Sequence, residues 1–147
     1  MHRPPGCKSA AQAGFFIPAT DYIQALKLRA GLLRDWTDSV FDKVDVLHTA
    51  VLPKAAPTFK ETTTTTGPDY LDMVVSLTRN TKICNFLGLP AISVPCGFTT
   101  KVLPASFQLI GRPFSESLLL RLAHRYQAET DWHRMLPPFV GPSPEHS

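Results

Sequence analysis

The side chains of this chain that could do chemistry are few and scattered. Its five histidines stand at positions 2, 48, 124, 133 and 146. No two are four residues apart, the spacing that puts two imidazoles on one helix face for a zinc ion. The cysteines, Cys7, Cys84 and Cys96, contain no C-x-x-C pair, and their odd number gives no disulfide framework. Cys84 falls on the apolar face of a helix and reads as a small core residue. Cys96, beside Gly97, is the thiol nearest to a nucleophile's setting. His48 lies alone in an apolar strand and reads as a packed or edge histidine, with no acid partner fixed by the sequence. His124 and His133, nine residues apart near a helix end, read as solvent-exposed side chains. There is no phosphate loop and no dinucleotide glycine fingerprint. No catalytic residue, metal or cofactor is therefore assigned.

Any such group has to be positioned by a packed scaffold, and the chain is long enough to make one. Its 147 residues make one domain with a core of its own, and 44% hydrophobic with 18% charged residues is a globular balance. The formal charge of +3 is spread out, without the lysine–arginine block that a nucleic-acid surface needs. No segment approaches the roughly 18 apolar residues of a membrane helix. The N-terminus lacks the apolar run of a secretory signal, and unpaired thiols fit a reducing, cytoplasmic setting.

The periodicities predict helices over 20–41, 70–87 and 116–130 and strands over 45–51, 91–95 and 106–110. In the first helix Thr20 or Asp21 is the expected cap, Asp21 and Gln24 have capping-box spacing, and Tyr22, Leu26, Leu33, Trp36 and Val40 form the apolar stripe. Asp69 is the expected cap of the second, with Leu71, Val74, Leu77, Thr81 and Cys84 facing inward. Gly88 is placed to end that helix in a left-handed turn, and Pro90 prevents its continuation. Ser115 should cap the last helix, apolar at Leu118, Leu119, Leu122 and Tyr126. Residues 53–68, with prolines and the run Thr62–Thr66, read as a mobile loop. Residues 1–13 read as a disordered start, 14–139 as the folded part and 140–147 as a disordered tail. The fold class is α/β: a mixed sheet with helices on its faces, made of a β-α-β unit followed by an added antiparallel strand.

Four blocks in order carry a resemblance. They are Asn85-Phe86-Leu87-Gly88-Leu89-Pro90-Ala91, Ile92-Ser93-Val94-Pro95-Cys96-Gly97, Leu103-Pro104-Ala105-Ser106-Phe107-Gln108-Leu109-Ile110-Gly111, and Phe114-Ser115-Glu116-Ser117-Leu118-Leu119-Leu120-Arg121-Leu122-Ala123. They resemble the closing region of the amidase signature family, which includes free amidases and the A subunits of glutamyl-tRNA amidotransferases. Upstream, Pro18–Ala25 is similar to the family's S-A-x-D-Y-x-x-A helix opening, and Asp45, Val46, Leu47 and Thr49 to its D-V-L-x-T-P strand, with Ala50 in place of proline. Asp131-Trp132-His133 matches a T-D-W-H closing segment. Lys101, Val102 and Ser106 stand where such families often carry glycine.

The resemblance implies hydrolysis of carboxylic amides, or glutamine-dependent amide transfer, by a serine activated through a second serine and a lysine. A glycine/serine-rich strip would hold the serines and present backbone N–H donors to the oxyanion. This chain has no Ser-Ser and no Gly-Gly dipeptide, and none of its seven lysines precedes such a strip. In the family these lie upstream of the region matched here. The expectation is therefore a C-terminal portion of an amidase fold, inactive alone. Its partner would be the missing N-terminal half or a homologous subunit, with a small amide substrate only in the completed enzyme. The alternative is a non-catalytic structural or partner-binding module derived from that fold. Ligands in such sheets sit beyond the carboxyl ends of strands, which points to Thr49–Pro53 and Pro95–Phe98. Thr49, Cys96 and Gly97 are the expected substrate-wall residues, unless they merely turn the chain.

Overall fold

The computed structural model describes residues 14–65 and 67–137. The expected disordered start at 1–13 and tail at 140–147 lie outside the described residues. The chain forms α1 (Ala19–Trp36), a π-helical turn (Thr37–Phe41), β1 (Val46–Ala50), α2 (Phe59–Thr64) and α3 (Pro68–Leu87). It continues with β2 (Ala91–Phe98), β3 (Pro104–Gly111), α4 (Glu116–Glu129) and a 3-10 turn (Trp132–Arg134).

The strands make one sheet in the order β1-β3-β2, and both neighbours run antiparallel to β3. β1 and β2 thus share a direction, as a β-α-β unit requires, and the added antiparallel strand lies between them. Pairing is therefore antiparallel throughout the described sheet. Composition explains the central place of β3: Gln108, Leu109, Ile110 and Gly111 are all buried, and such a continuous run needs cover on both faces. β2 runs past Pro95, where the sequence predicts its end, because a bulge absorbs Cys96 and lets Gly97 pair with Ala105. Gly97 takes φ 135, a conformation closed to most side chains.

Opposed residues in adjacent strands share a face, so the register sorts the side chains into two layers. Leu47 and Ile110 face α1 and α3, where they join Phe41, Cys84, Leu87 and Leu89, with Leu33, Trp36, Val40 and Ile83 packed around them. His48, Phe107 and Leu109 face the other way. There Phe107 meets the Tyr126 ring of α4 edge-on at 5.0 Å, and Leu119 and Ala123 are buried. Gly111 is tightly surrounded: an added Cβ would press on Ser115 Oγ and lie 3.2 Å from Leu119 Cδ2. Arg112 ties this end of β3 to the π turn, donating to the Phe41 carbonyl and pairing with Asp42 at 3.2 Å.

Helix boundaries correct several expectations. α1 begins at Ala19 behind Pro18 with no side-chain cap, so neither Thr20 nor Asp21 caps it. α3 begins at Pro68 behind Gly67, one residue before the expected cap Asp69. Asp21 and Asp69 sit instead in the first turns, where a carboxylate complements the helix dipole. Gly88 ends α3 at φ 75 as predicted, its N–H bonded to Cys84 O at 2.8 Å. Ser115 holds the N-cap position of α4, but its hydroxyl donates to Arg112 O and caps nothing.

The stripes are also shorter than predicted. Tyr22, Leu26, Leu71 and Leu122 are exposed, and α1 has no fully buried residue, only Leu33 and Trp36 partly buried against the core. The segment expected to be loop from 53 to 68 contains α2, closed by a reciprocal capping box: Glu61 N–H donates to Thr58 Oγ1, and Thr58 N–H to the Glu61 carboxylate. Hydroxyls of Thr62, Thr63 and Thr64 donate to carbonyls three or four residues back along the exposed helix.

Candidate functional site

Because β1 and β2 run the same way, their carboxyl ends and the start of β3 meet at one end of the sheet. A cavity of about 350 Å³ opens there. One wall is the chain leaving β1, Val51–Ala56; the other carries Ser93, Thr99 and Leu103–Ser106. Its chemistry is three hydroxyls and one ammonium, Lys54, set in an apolar surround. A depression of about 690 Å³ on α3, bordered by Arg79, Lys82, Ile83 and Phe86, is larger but shallow, and lacks a nucleophile.

The three expected wall residues are not brought together. Thr49 lies in β1 and Cys96 with Gly97 in β2, with β3 between them. Thr49 is opposite Gln108, whose side-chain amide donates to Thr49 Oγ1 at 2.8 Å and to Asn80 O at 2.9 Å. Asn80 Nδ2 in turn donates to Ala50 O at 2.9 Å. Gln108 is only 4% exposed, so the set is a satisfied internal clamp joining β1, β3 and α3. Gly97 packs its Cα side towards Trp132, whose ring atoms would lie 4.0 Å from an added Cβ. Phe98 meets the same indole edge-on at 6.4 Å. The cavity wall is formed by residues next to those predicted.

Among the described residues no serine, histidine and lysine are hydrogen-bonded into a catalytic set. Burial pushes the Cys84 thiol up, away from the reactive thiolate, so it behaves as a core residue. His48 is exposed on the edge strand, its ring 4.8 Å from that of Phe107. Among the described residues no serine hydroxyl is hydrogen-bonded to a lysine or a histidine; those of Ser39, Ser76 and Ser115 all donate to backbone carbonyls. Gln108, Asn80 and Trp132 do not stand out from the residues alone. Gln108 left one signal, a lone amide inside an apolar strand.

Helices on both faces of a three-stranded sheet define an α/β fold. The chain belongs to the Amidase family, whose model matches residues 8–120. It is 40% identical over 128 residues to the A subunit of the glutamyl-tRNA(Gln) amidotransferase of Carboxydothermus hydrogenoformans, covering 87% of this chain and 24% of that protein. The corresponding protein of a Picosynechococcus species is 41% identical over 116 residues, covering 79% of this chain and 23% of the relative. Among solved structures, an amidase superposes with a TM-score of 0.71 at 21% identity, over 85% of this chain and 28% of that one. The Kluyveromyces lactis allophanate hydrolase gives 0.61 at 28% identity, over 80% and 18%. The chain thus spans about a quarter of the length of the relatives it matches. Among the described residues no helix is long and apolar enough to cross a membrane.

Proposed function

We propose that this chain is the substrate-side scaffold of an amidase-type domain and does not hydrolyse amides by itself. The observation that carries the reading is a cavity whose hydroxyls, those of Ser93, Thr99 and Ser106, belong to no Ser-Ser pair or glycine/serine-rich strip. The strand ends form a cavity, while the serine pair, the lysine and the oxyanion strip that the family resemblance calls for have no counterpart in this sequence. In this reading a second polypeptide, either the complementary part of an amidase domain or a homologous subunit, supplies those groups in the cytoplasm. The completed assembly cleaves a small carboxylic amide or transfers its nitrogen. Ser93, Thr99 and Ser106 then border the substrate, with Cys96 and Gly97 at the bulge and Thr49 beneath it setting the strand ends.

The exposed apolar residues of α1, Tyr22, Ile23, Leu26, Leu28 and Leu32, support the same reading, since an uncovered apolar face calls for a further surface. The alternative, a stable non-catalytic module that binds a partner, shares that surface and differs only in whether activity ever appears. The test is turnover of a simple aryl amide, with an inhibitor of contaminating serine hydrolases present. The expected result is none with the chain alone and turnover once the complementary part of an amidase is added. Turnover by the purified chain alone would overturn the proposal. Association without activity would select the non-catalytic module.

A further inference from the structure

One wall of the strand-end cavity is the turn that joins β2 to β3. Thr99 N–H donates to Leu103 O at 2.8 Å, Leu103 N–H to Thr99 Oγ1 at 3.2 Å, and Val102 N–H to Thr99 O at 2.8 Å. Val102 takes φ 60, a costly conformation for a β-branched residue. These bonds all lie within the turn, so they set its shape but not its tilt against the sheet. The ladder below it is interrupted by the bulge at Cys96, and Gly97 follows at φ 135.

Support comes from much later in the chain. The 3-10 turn after α4 sets the Trp132 indole against Gly97, where an added Cβ would lie 4.0 Å from the ring, and edge-on to Phe98 with centroids 6.4 Å apart. Both residues pair with the cavity wall, Gly97 with Ala105 and Phe98 with Pro104. Neighbouring residues of a strand face opposite sides of a sheet, and opposed residues of adjacent strands share one. Gly97 therefore faces with Ala105, away from the Ser106 side chain, and the indole stands behind the wall without lining the cavity. The end of α4 holds the indole there. Thr130 Oγ1 donates to Tyr126 O at 3.0 Å, and Arg134 N–H to Asp131 O at 2.9 Å.

We infer that Trp132 is a positioning residue for the strand-end cavity. Its indole braces the β2–β3 turn from behind and so sets where Thr99 and Ser106 present their hydroxyls to a small carboxylic amide. The inference rests on the proposal that this cavity borders the substrate. It adds a residue outside the cavity on which the shape of its wall depends. A hydroxyl recognises an amide only within hydrogen-bond reach, and a wall that tilts loses that reach. A flat ring with two side-chain torsions suits the task, because it covers a strip of backbone without swinging. Phenylalanine would keep most of that cover, whereas alanine would leave Gly97 and Phe98 open.

The test titrates propionamide into the full chain and follows the backbone amide resonances of Thr99 and Ser106, with the Trp132 indole N–H as a further reporter. In the wild type all of them should shift along one saturation curve, although the indole does not line the cavity. Trp132→Ala should weaken binding about tenfold or more, and Trp132→Phe should restore it to within about threefold of the wild type. Gly111→Ala is the control for lost stability: it crowds α4 at the other end of β3 and leaves the turn alone, so it should bind as the wild type does. Unchanged binding by Trp132→Ala, or equal weakening by Gly111→Ala, overturns the inference and leaves the substrate role of the cavity standing. No saturable shift in the wild type overturns both.

Discussion

Around β3 the side chains are enclosed on every side: Ile110 is 1% exposed, Val94 and Leu119 are as deeply buried, and even the amide of Gln108 has its partners. The first half of α1 is the opposite case. Tyr22, Ile23 and Leu26 are exposed along it, as are Leu28 and Leu32 beyond it; Leu71 and Val75 remain exposed in the first turns of α3, and at the end of α1 Trp36 Nε1 is buried with no acceptor among the described residues. Both regions have similar apolar content, so composition does not separate them. What separates them is whether the described residues supply the opposing surface. Apolar area stabilises only when something covers it, so the two regions should answer very differently to the same kind of mutation.

The largest contrast is expected between Ile110→Ala and Leu26→Ser. The first removes fully enclosed atoms and should cost about 2–5 kcal/mol of unfolding free energy. The second changes a half-exposed position and should stay within about 0.5 kcal/mol. Urea denaturation reads both, and equal losses would erase the distinction. Gly111→Ala should cost about 1–3 kcal/mol, because its Cβ meets Ser115 Oγ and Leu119 in a packed layer. Thr49→Val should cost about 1 kcal/mol: the Gln108 amide loses one acceptor and keeps Asn80 O. That loss should appear in stability without any change in binding to a complementary polypeptide.

The smallest effect belongs to the exposed α2. The N–H and hydroxyl of Thr58 hold the Glu61 carboxyl below the usual carboxylate range. A group whose acidity is raised by folding contributes above its unfolded pKa and loses that contribution as pH falls through the folded value. The Thr58 amide resonance should therefore be flat near neutrality and shift only in acid, below where free glutamates titrate. Glu61→Gln should abolish the shift.

How much of this was legible from residues alone follows the same division. The segment from Cys84 to Gly111 reads well because its signals are local: a left-handed glycine, a proline stop, and an apolar run that finds its cover within the chain. Strand order was not legible, since a hairpin joining β2 to β3 leaves open which of them β1 will pair with. The helix stripes were over-read at Tyr22, Leu26 and Leu71 because periodicity records a face that is to be buried, whichever polypeptide buries it. α2 was missed because five threonines outweigh Thr58 and Glu61 in composition, although their spacing is that of a capping box. Strand direction points to Thr49–Pro53, of which Val51–Pro53 line the cavity; Ser93 and Ser106 are not legible, because they become neighbours of Val51–Ala56 only through the β1-β3-β2 order.

Residue-resolved hydrogen exchange tests the central claim most directly, that one part of this chain is finished and the other waits for a surface from outside. In the isolated chain, amides of residues 106–110 should exchange only through global unfolding, whereas those of 20–32 in α1 should exchange by local opening orders of magnitude faster. Adding the complementary part of an amidase should slow the second set and leave the first unchanged. Uniform protection in the isolated chain, or no change in α1 on adding that part, would contradict the account.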